Sequence, residues 1–259
     1  TEGITVPPGT MLVNPDVFFM HNIGTMNNTI IHECVHWKRH KMFFELMRLL
    51  NQEYRFISCE IVEAYGKERA NSTPLEWIEW QANTLAPKIL MPASTTKKFI
   101  QDRLHDLRQC MPASTRDAEV MAQAIQDTAD FFQVSRLAAK LRAIELGFEQ
   151  AHGTYVYIEG KSIPHFSFGS KIIGKNGSFV VDSISALRMI ITHPVLDALY
   201  AEDKIVFVNN MLCINAPKYI QFIQFNDEEQ PVMTQYALDH VDECCFLFAC
   251  KKRIKLDYD

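Results

Sequence analysis

The spacing of apolar and polar positions changes along the chain and predicts helices first and strands later. From Ile30 to about Leu50 an approximate apolar stripe recurs at helical spacing, and Asn28 or Thr29 is placed to cap that helix. Before it, residues 10–20 hold two short apolar runs split by Asn-Pro-Asp, a pattern that predicts strand, turn and strand. The chain should therefore open with a small β-sheet that leads into a long helix.

Further helices are expected up to about residue 150. The run LEWIEWQANTLAPKILM follows Pro74, which suits a first helical turn, and Pro92 stops it. Pro87 inside this run should kink the helix or end its regular part early. Residues 65–74 are polar and predict a loop. Three more helical segments are predicted at residues 95–109, 115–130 and 134–148.

Past residue 150 the sequence pattern becomes typical of β-strands. TYVYIEG, FSFGS, GSFVVDS, KIVFVNNMLCI and CCFLFACKKRI are short β-branched and aromatic runs separated by Gly, Asn and Pro, and one helix over about 183–202 interrupts them. We therefore predict an α+β protein with two domains. Residues 1–150 form a mainly helical domain with a small N-terminal sheet, and residues 151–259 form a strand-rich α+β domain.

Composition narrows the classes of partner. The 259 residues are 47% hydrophobic and carry a formal net charge of -5, which argues against broad electrostatic capture of nucleic acid or of an anionic membrane. Seven cysteines, mostly inside apolar runs, indicate a reducing compartment. Without a signal pattern or a membrane-spanning run in the sequence, we expect a cytoplasmic protein whose partners are proteins or small molecules.

The stretch TIIHECVHW carries the first candidate chemistry. On a helix, His32 and His36 lie four residues apart on one face, so their imidazoles can reach a single point. Glu33 lies about a third of a turn away, which suits a group that touches a metal-bound water without occupying the metal. This is the HExxH arrangement of two zinc ligands and a general base, although two histidines on a core helix would give the same letters.

A catalytic zinc ion needs a third protein ligand. The second long helix offers Glu76 and Glu79 as carboxylates, and Asn83 lies on the face of Glu79, where it can orient a histidine by accepting its other ring proton. Ala82 would let the two helices approach closely. The alternative is that both glutamates are solvated helix charges.

HECVH followed by EWQANTLAPKILMP resembles the ImmA/IrrE family of metallopeptidases, and ADFFQVSRLAAKLRAIELGF is similar to that family's helical tail. The resemblance covers about residues 10–148. It implies a zincin-like domain with a gluzincin-like Zn²⁺ site, in which His32, His36 and Glu79 are ligands and Glu33 is the base.

The resemblance also implies a hydrolase function. Members cleave helix-turn-helix repressors in stress or mobile-element control, so we expect a zinc metallo-endopeptidase acting on a specific protein, plausibly a transcriptional repressor. The rival is a catalytically silent zincin-fold module that binds a protein. The chain departs from the family pattern at Val35, where members carry glycine, and in the 42 residues between His36 and Glu79, a candidate gating insertion. Residues 151–259 would serve as a sensor or bind substrate.

Other site hypotheses stay open beside this one. Residues 115–148 can be read as a helix-turn-helix that binds DNA, but the few basic residues favour core packing instead. Trp77 and Trp80 are expected to pack near the site or to line a substrate pocket. The oxyanion donor is unassigned among three candidates, His40, Tyr54 and Tyr65.

The segment YALDHVDECC presents a cluster of metal-ligating side chains. His240, Asp242, Glu243, Cys244 and Cys245 are its members. Adjacent cysteines lack the two-residue spacing of structural zinc pairs, so an apolar strand that enters at Cys244 is favoured over a second metal site.

Overall fold

The computed structural model describes residues 10–11, 23–50, 73–169, 173–174, 177–226 and 228–249. Within these ranges helices alternate with small antiparallel strand pairs, so the mixed α+β class is confirmed. The predicted strand pair lies almost wholly outside the described residues, as do Tyr54, Tyr65 and nearly all of the 65–74 loop. No helix in the described ranges is both long and apolar enough to cross a bilayer.

The helices follow the predicted order. The long helix predicted from Ile30 begins earlier and consists of α1, a π-helical segment and α2, and a 3₁₀ turn at Glu149–Gly153 follows α6. The bounds are α1 Ile23–Val35, the π segment His36–His40, α2 Lys41–Leu50, α3 Pro74–Leu90, α4 Ala93–Cys110, α5 Asp117–Phe132, α6 Arg136–Glu145, α7 Ser183–Thr192, α8 Pro194–Ala201, α9 Gln235–Asp239 and α10 Val241–Cys244.

In the part of the chain that the structure describes, the strands form four antiparallel pairs: β1 with β2, β3 with β8, β4 with β5 and β6 with β7. Two-residue turns close the tightest hairpins, and their residues have the positive φ that such turns require: Glu159 and Gly160, then Asn209 and Asn210. The bounds are β1 Val156–Ile158, β2 Lys161–Ile163, β3 Gly177–Ser178, β4 Ile205–Val208, β5 Met211–Ile214, β6 Ile220–Phe225, β7 Glu228–Met233 and β8 Phe248–Ala249.

The chain divides into two compact units. One comprises Thr1–Phe99 with Asp127–Arg142, and the other comprises Ile100–Gln126 with Ala143–Asp259. The predicted domain boundary near residue 150 stays a prediction.

In the first unit α1 packs along α3 and is anchored on the turn between α5 and α6. A Cβ at Gly24 would lie 2.2 Å from the backbone carbon of Val134, so only glycine permits this approach. The Asn27 side chain adds a hydrogen bond from its amide nitrogen to the carbonyl of Gln133, 2.9 Å away. The Val-Ser turn thus positions the helix that carries the HExxH motif.

The second unit is built around the strand pairs. Its largest apolar cluster joins β1, β2, β4 and β5 to the ends of β6 and β7 and to α9 and α10. Fully buried residues at its centre include Ile158, Met211 and Val241, while Leu107, Val120 and Ala124 form a smaller cluster between α4 and α5.

Two predictions about helices are corrected by the backbone. Pro87 does not end α3, which continues to Leu90, because a proline near a helix end removes only one of the last hydrogen bonds. The helix predicted over 183–202 is two helices, since His193 is extended (φ -109°, ψ 107°) and the residue before a proline avoids the helical region.

Two predictions about strands are also corrected, and one strand pair was missed. FSFGS forms no strand over its described residues: Ser167 bonds instead to Leu238 and Val241 at the ends of α9 and α10. The prediction of a strand that enters at Cys244 is wrong, because Cys244 ends α10, and Phe248–Ala249 is the one strand among the described residues of that run. The β6–β7 hairpin was not predicted, since β7 carries two glutamates and Pro231, which a two-stranded edge tolerates.

Lys140 on α6 is buried, and its burial lowers the pKa of its ammonium group from an ordinary 10.5 to about 8. Replacing it by methionine should raise the free energy of unfolding at pH 7 by on the order of 1–3 kcal/mol, because a charged group no longer has to be desolvated. The unfolded wild type binds more protons between pH 8 and 10.5, so wild-type stability rises over this window and the difference should shrink.

Chemical denaturation of both proteins at pH 7 and pH 10 measures this difference. The exposed Lys97, replaced in the same way, serves as the matched control and should change stability little at either pH. A gain in Lys140→Met that is the same at both pH values would contradict the assignment.

Candidate metal centre

Three histidines follow one another along a single helical face. His32 lies in the last turn of α1, and His36 and His40 bound the π-helical segment that continues it. All three are buried, with ring centroids 4.6 Å apart for the first pair and 5.0 Å apart for the second. A π turn is rare and occurs mostly at functional sites, where it changes which side chains share a face.

Glu79 of α3 completes a cluster with the first two histidines. Its carboxylate oxygens lie 3.2 Å from His32 Nε2 and 3.4 Å from His36 Nε2, and the two Nε2 atoms are 2.9 Å apart. These three residues are one of two described groups whose ligand atoms all lie within 4.8 Å of one another. The structure therefore brings Glu79 to His32 and His36, from which it is more than forty positions away in the chain.

The spacing of these atoms fits a zinc ion. Metal–ligand distances of about 2.0–2.2 Å in a tetrahedral arrangement place neighbouring donor atoms roughly 3.3–3.5 Å apart. The three observed separations are at this value or slightly below it, so a small adjustment of the side chains would accommodate the ion. Two imidazoles and one carboxylate also form a donor set used by catalytic zinc, with a fourth position left for water.

The ionisation of Glu79 suits a ligand. Burial alone would favour its neutral form, but hydrogen bonds to His32 and His36 and the charges of both rings outweigh this effect and lower its pKa to about 2. The carboxylate is consequently charged throughout the neutral range, which is the form that binds a cation.

A helix cap engages Glu76 and leaves Glu79 as the carboxylate that can serve as the third metal ligand. Thr73 Oγ1 accepts a hydrogen bond from the Glu76 N–H, and the Glu76 carboxylate accepts one from the Thr73 N–H at 2.9 Å. This capping box fixes Glu76 at the start of α3, away from the histidines. The signal was readable in the sequence, because Thr-x-x-Glu before an apolar run predicts such a cap.

His40 contacts the ring nitrogen of His36 that does not face Glu79. Its Nδ1 lies 3.2 Å from His36 Nδ1, and its Nε2 lies 3.2 Å from the Gln81 side-chain oxygen. If His36 binds metal through Nε2, its Nδ1 carries the proton and donates it to His40 Nδ1, and His40 Nε2–H then donates to Gln81. Burial lowers the pKa of His40, which favours the neutral ring this chain of hydrogen bonds requires.

In the described structure, the residue in contact with the second ring nitrogen of a ligand histidine is His40, whereas Asn83 was predicted there. Asn83 is half-buried, and no described hydrogen bond joins it to either ligand histidine, so its orienting role stays a prediction. His40 had been considered only as an oxyanion donor. Its spacing of four residues from His36 was the signal that pointed to a shared face with the ligands.

The remaining residues of the HExxH motif, Glu33, Cys34 and Val35, differ in their burial. Glu33 is half-buried and is not a member of the cluster of ligand atoms, as expected for a base that leaves the metal free. Cys34 is exposed, and Val35 is buried at 4% exposure. Val35 therefore packs into the interior at the position where the family pattern has glycine.

Trp77 and Trp80 flank Glu79 on α3 as a stacked pair, with centroids 4.9 Å apart and ring planes at 19°. Trp77 remains 38% exposed, and at about 100° per residue the two rings lie on a different face of α3 from Glu79. The described structure does not choose an oxyanion donor. His40 is engaged with His36 and Gln81, and the two tyrosine candidates lie outside the described residues.

The acidic and histidine members of the YALDHVDECC cluster have other partners. His240 stacks on Tyr236, Asp242 accepts the Gly169 N–H at 2.8 Å, and Glu243 accepts from Tyr236 and Lys218. Cys244 and Cys245 instead meet Cys213. In residues 115–148, the turn between α5 and α6 packs against Gly24 of α1, as a core-packing role requires.

Comparisons of this chain with models of protein families, with curated proteins and with solved structures find no match. The resemblance to the ImmA/IrrE family thus stays a hypothesis that rests on the motifs of the sequence.

Replacing His40 by phenylalanine should weaken Zn²⁺ binding about 10- to 100-fold, because His36 would lose the acceptor that holds its ring and tautomer. Competition with a chromogenic chelator measures the affinity. His40→Asn, whose amide oxygen can still accept from His36, should recover part of the loss.

The matched control is His105, an exposed histidine of α4 that is hydrogen-bonded to Gln109. Its replacement by phenylalanine should leave the Zn²⁺ affinity unchanged. Equal affinities of His40→Phe and wild type would show that His36 needs no such support.

Proposed function

We propose that this protein is a zinc-dependent metallo-endopeptidase with a zincin-like catalytic part. One observation carries the proposal: a two-histidine, one-carboxylate cluster of zinc-like spacing forms between the HExxH helix and a second helix. A buried carboxylate between two imidazoles is costly to maintain for stability alone. Binding of a cation gives that arrangement a chemical purpose.

The roles of the residues follow from their positions. Zn²⁺, when bound, would act as a Lewis acid that lowers the pKa of a water molecule and polarises a peptide carbonyl. His32, His36 and Glu79 would hold the ion, and His40 would keep His36 in its binding tautomer. The Glu33 carboxylate would accept the proton of the attacking water and deliver it to the leaving amine nitrogen.

The substrate assignment rests on the resemblance in the sequence. A specific protein, plausibly a helix-turn-helix transcriptional repressor, is the substrate we propose, and a cytoplasmic location would give access to it. The stacked pair of Trp77 and Trp80, with Trp77 exposed, offers an aromatic surface of α3 on which apolar side chains of a peptide can pack.

The second candidate is a catalytically silent protein-binding module of the same fold. The complete ligand set and a free-standing Glu33 favour the enzyme, since binding a partner protein needs neither. The two candidates make opposite predictions for cleavage, which one variant separates.

Glu33→Gln should retain as much Zn²⁺ as the wild type and lose cleavage by roughly 10²- to 10⁴-fold, because the amide cannot accept the proton of water. The assay incubates zinc-loaded protein with a helix-turn-helix regulator encoded beside it and detects fragments by mass spectrometry. Bound metal is measured by elemental analysis.

Two variants on α3 calibrate the result. Glu79→Gln should lose about one equivalent of Zn²⁺ relative to the wild type together with the cleavage, whereas Glu76→Gln alters only the helix cap and should keep both. A wild-type protein that binds zinc at His32, His36 and Glu79 but cleaves nothing would favour the silent module. A folded wild-type protein from which Glu79→Gln removes no zinc would refute the metallopeptidase.

A further inference from the structure

We propose that Cys213, Cys244 and Cys245 form a second metal site, which binds a thiophilic divalent ion such as Zn²⁺ in the second unit. Their sulfur atoms all lie within 4.8 Å of one another, and this is the other described group with that property. The site is separate in its residues from the histidine cluster and does not depend on the proposed peptidase activity.

A change of secondary structure makes the three sulfurs converge. Neighbouring residues of a strand point to opposite faces, so two adjacent cysteines in a strand would diverge. Cys244 instead ends α10, and Cys245 leaves it and pairs with Cys213 of β5 through an isolated antiparallel bridge. The adjacent pair thereby directs both sulfurs to one place, opposite the third thiol.

The distances suit metal binding and not a disulfide. A Zn–S bond of about 2.3 Å in tetrahedral geometry places two ligand sulfurs about 3.8 Å apart. Cys244 Sγ and Cys245 Sγ are 3.8 Å apart, nearly twice the length of a disulfide bond. The described cysteines are all free thiols.

Burial favours a divalent ion over a monovalent one. Cys213 and Cys244 are almost fully buried in the apolar cluster of the second unit, beside Met211 and Val241. Three thiolates around a divalent ion leave a single negative charge, whereas a monovalent ion would leave two in a medium of low polarity. Thiolate ligands select soft or borderline ions, which excludes Mg²⁺ and Ca²⁺.

The Cys244 thiol makes only weak hydrogen bonds in the absence of metal. Its Sγ can donate to the carbonyl oxygens of Ala237, His240 and Val241 at 3.6–3.9 Å, or to Cys245 Sγ at 3.8 Å. A divalent ion that displaces the thiol protons would therefore break no strong hydrogen bond.

No fourth side chain among the described residues joins the three sulfurs. His240, the nearest histidine in sequence, uses Nδ1 in a 3.0 Å contact with the Tyr236 carbonyl and lies flat against the Tyr236 ring. The site is thus a three-thiol site whose fourth position is available to a water molecule or another small ligand.

The test titrates the reduced, folded full chain with Cd²⁺ and follows sulfur-to-metal charge-transfer absorption in the ultraviolet. This absorption reports thiolate ligands, so binding at the His32–His36–Glu79 cluster does not contribute. We expect the signal to grow until about one Cd²⁺ per chain has bound. Zn²⁺ should displace Cd²⁺ from the thiolates and thereby reduce the signal.

Cys245→Ser is the first variant, because Cys245 is only half-buried and its replacement disturbs the core least. It should lose most of the charge-transfer signal. Cys110→Ser, which changes an exposed thiol of α4, is the matched control and should behave like the wild type.

Absence of the charge-transfer signal in the wild type would overturn the proposal, and so would its survival in a folded Cys245→Ser protein. Neither result bears on the peptidase, whose metal and cleavage are measured through other residues. Loss of cleavage in Glu33→Gln would in turn leave the thiol site untouched.

Discussion

A buried carboxylate held between two imidazoles is the constraint on which the first unit depends. Glu79 is charged and only 9% exposed, so its cost of desolvation has to be offset by His32 and His36. That requirement fixes the distance and rotation of two helices relative to each other. Ala82, fully buried one turn along α3, leaves room for the close approach.

Two backbone features and two side chains hold the histidine–glutamate cluster in place. The capping box starts α3 at a defined residue, and Gly24 lets α1 rest on the backbone of the α5–α6 turn. The capping box and Gly24 act on the backbone and fix the positions of the two helices that carry the ligand side chains. His40 and Gln81 instead fix the orientation of the His36 ring. Position and orientation are therefore controlled by different parts of the chain.

Much of this was predictable because it is local. Helical spacing placed His32 and His36 on one face, and turn and cap residues indicated most helix bounds within a few positions. The parts that failed depend on distant partners. FSFGS has strand-like residues yet bonds to helix ends, β7 has unsuitable residues yet forms a strand, and Cys213 meets a dipeptide thirty positions away. The residue pattern of one segment does not show which distant segment of the chain it will contact.

The π-helical segment has a consequence for how the chain tolerates changes in length. A π turn bonds each residue to the fifth one along the chain, whereas an α turn bonds it to the fourth, so the wide turn holds about one residue more. Deleting one residue between His36 and His40 would therefore convert the segment into an ordinary α-helical turn and leave the upstream ligand pair in place. The exposed apolar residues of α2, including Leu46 and Leu49, would keep nearly the same side of the helix. The wide turn thus confines a change in chain length to a single turn of one continuous helix.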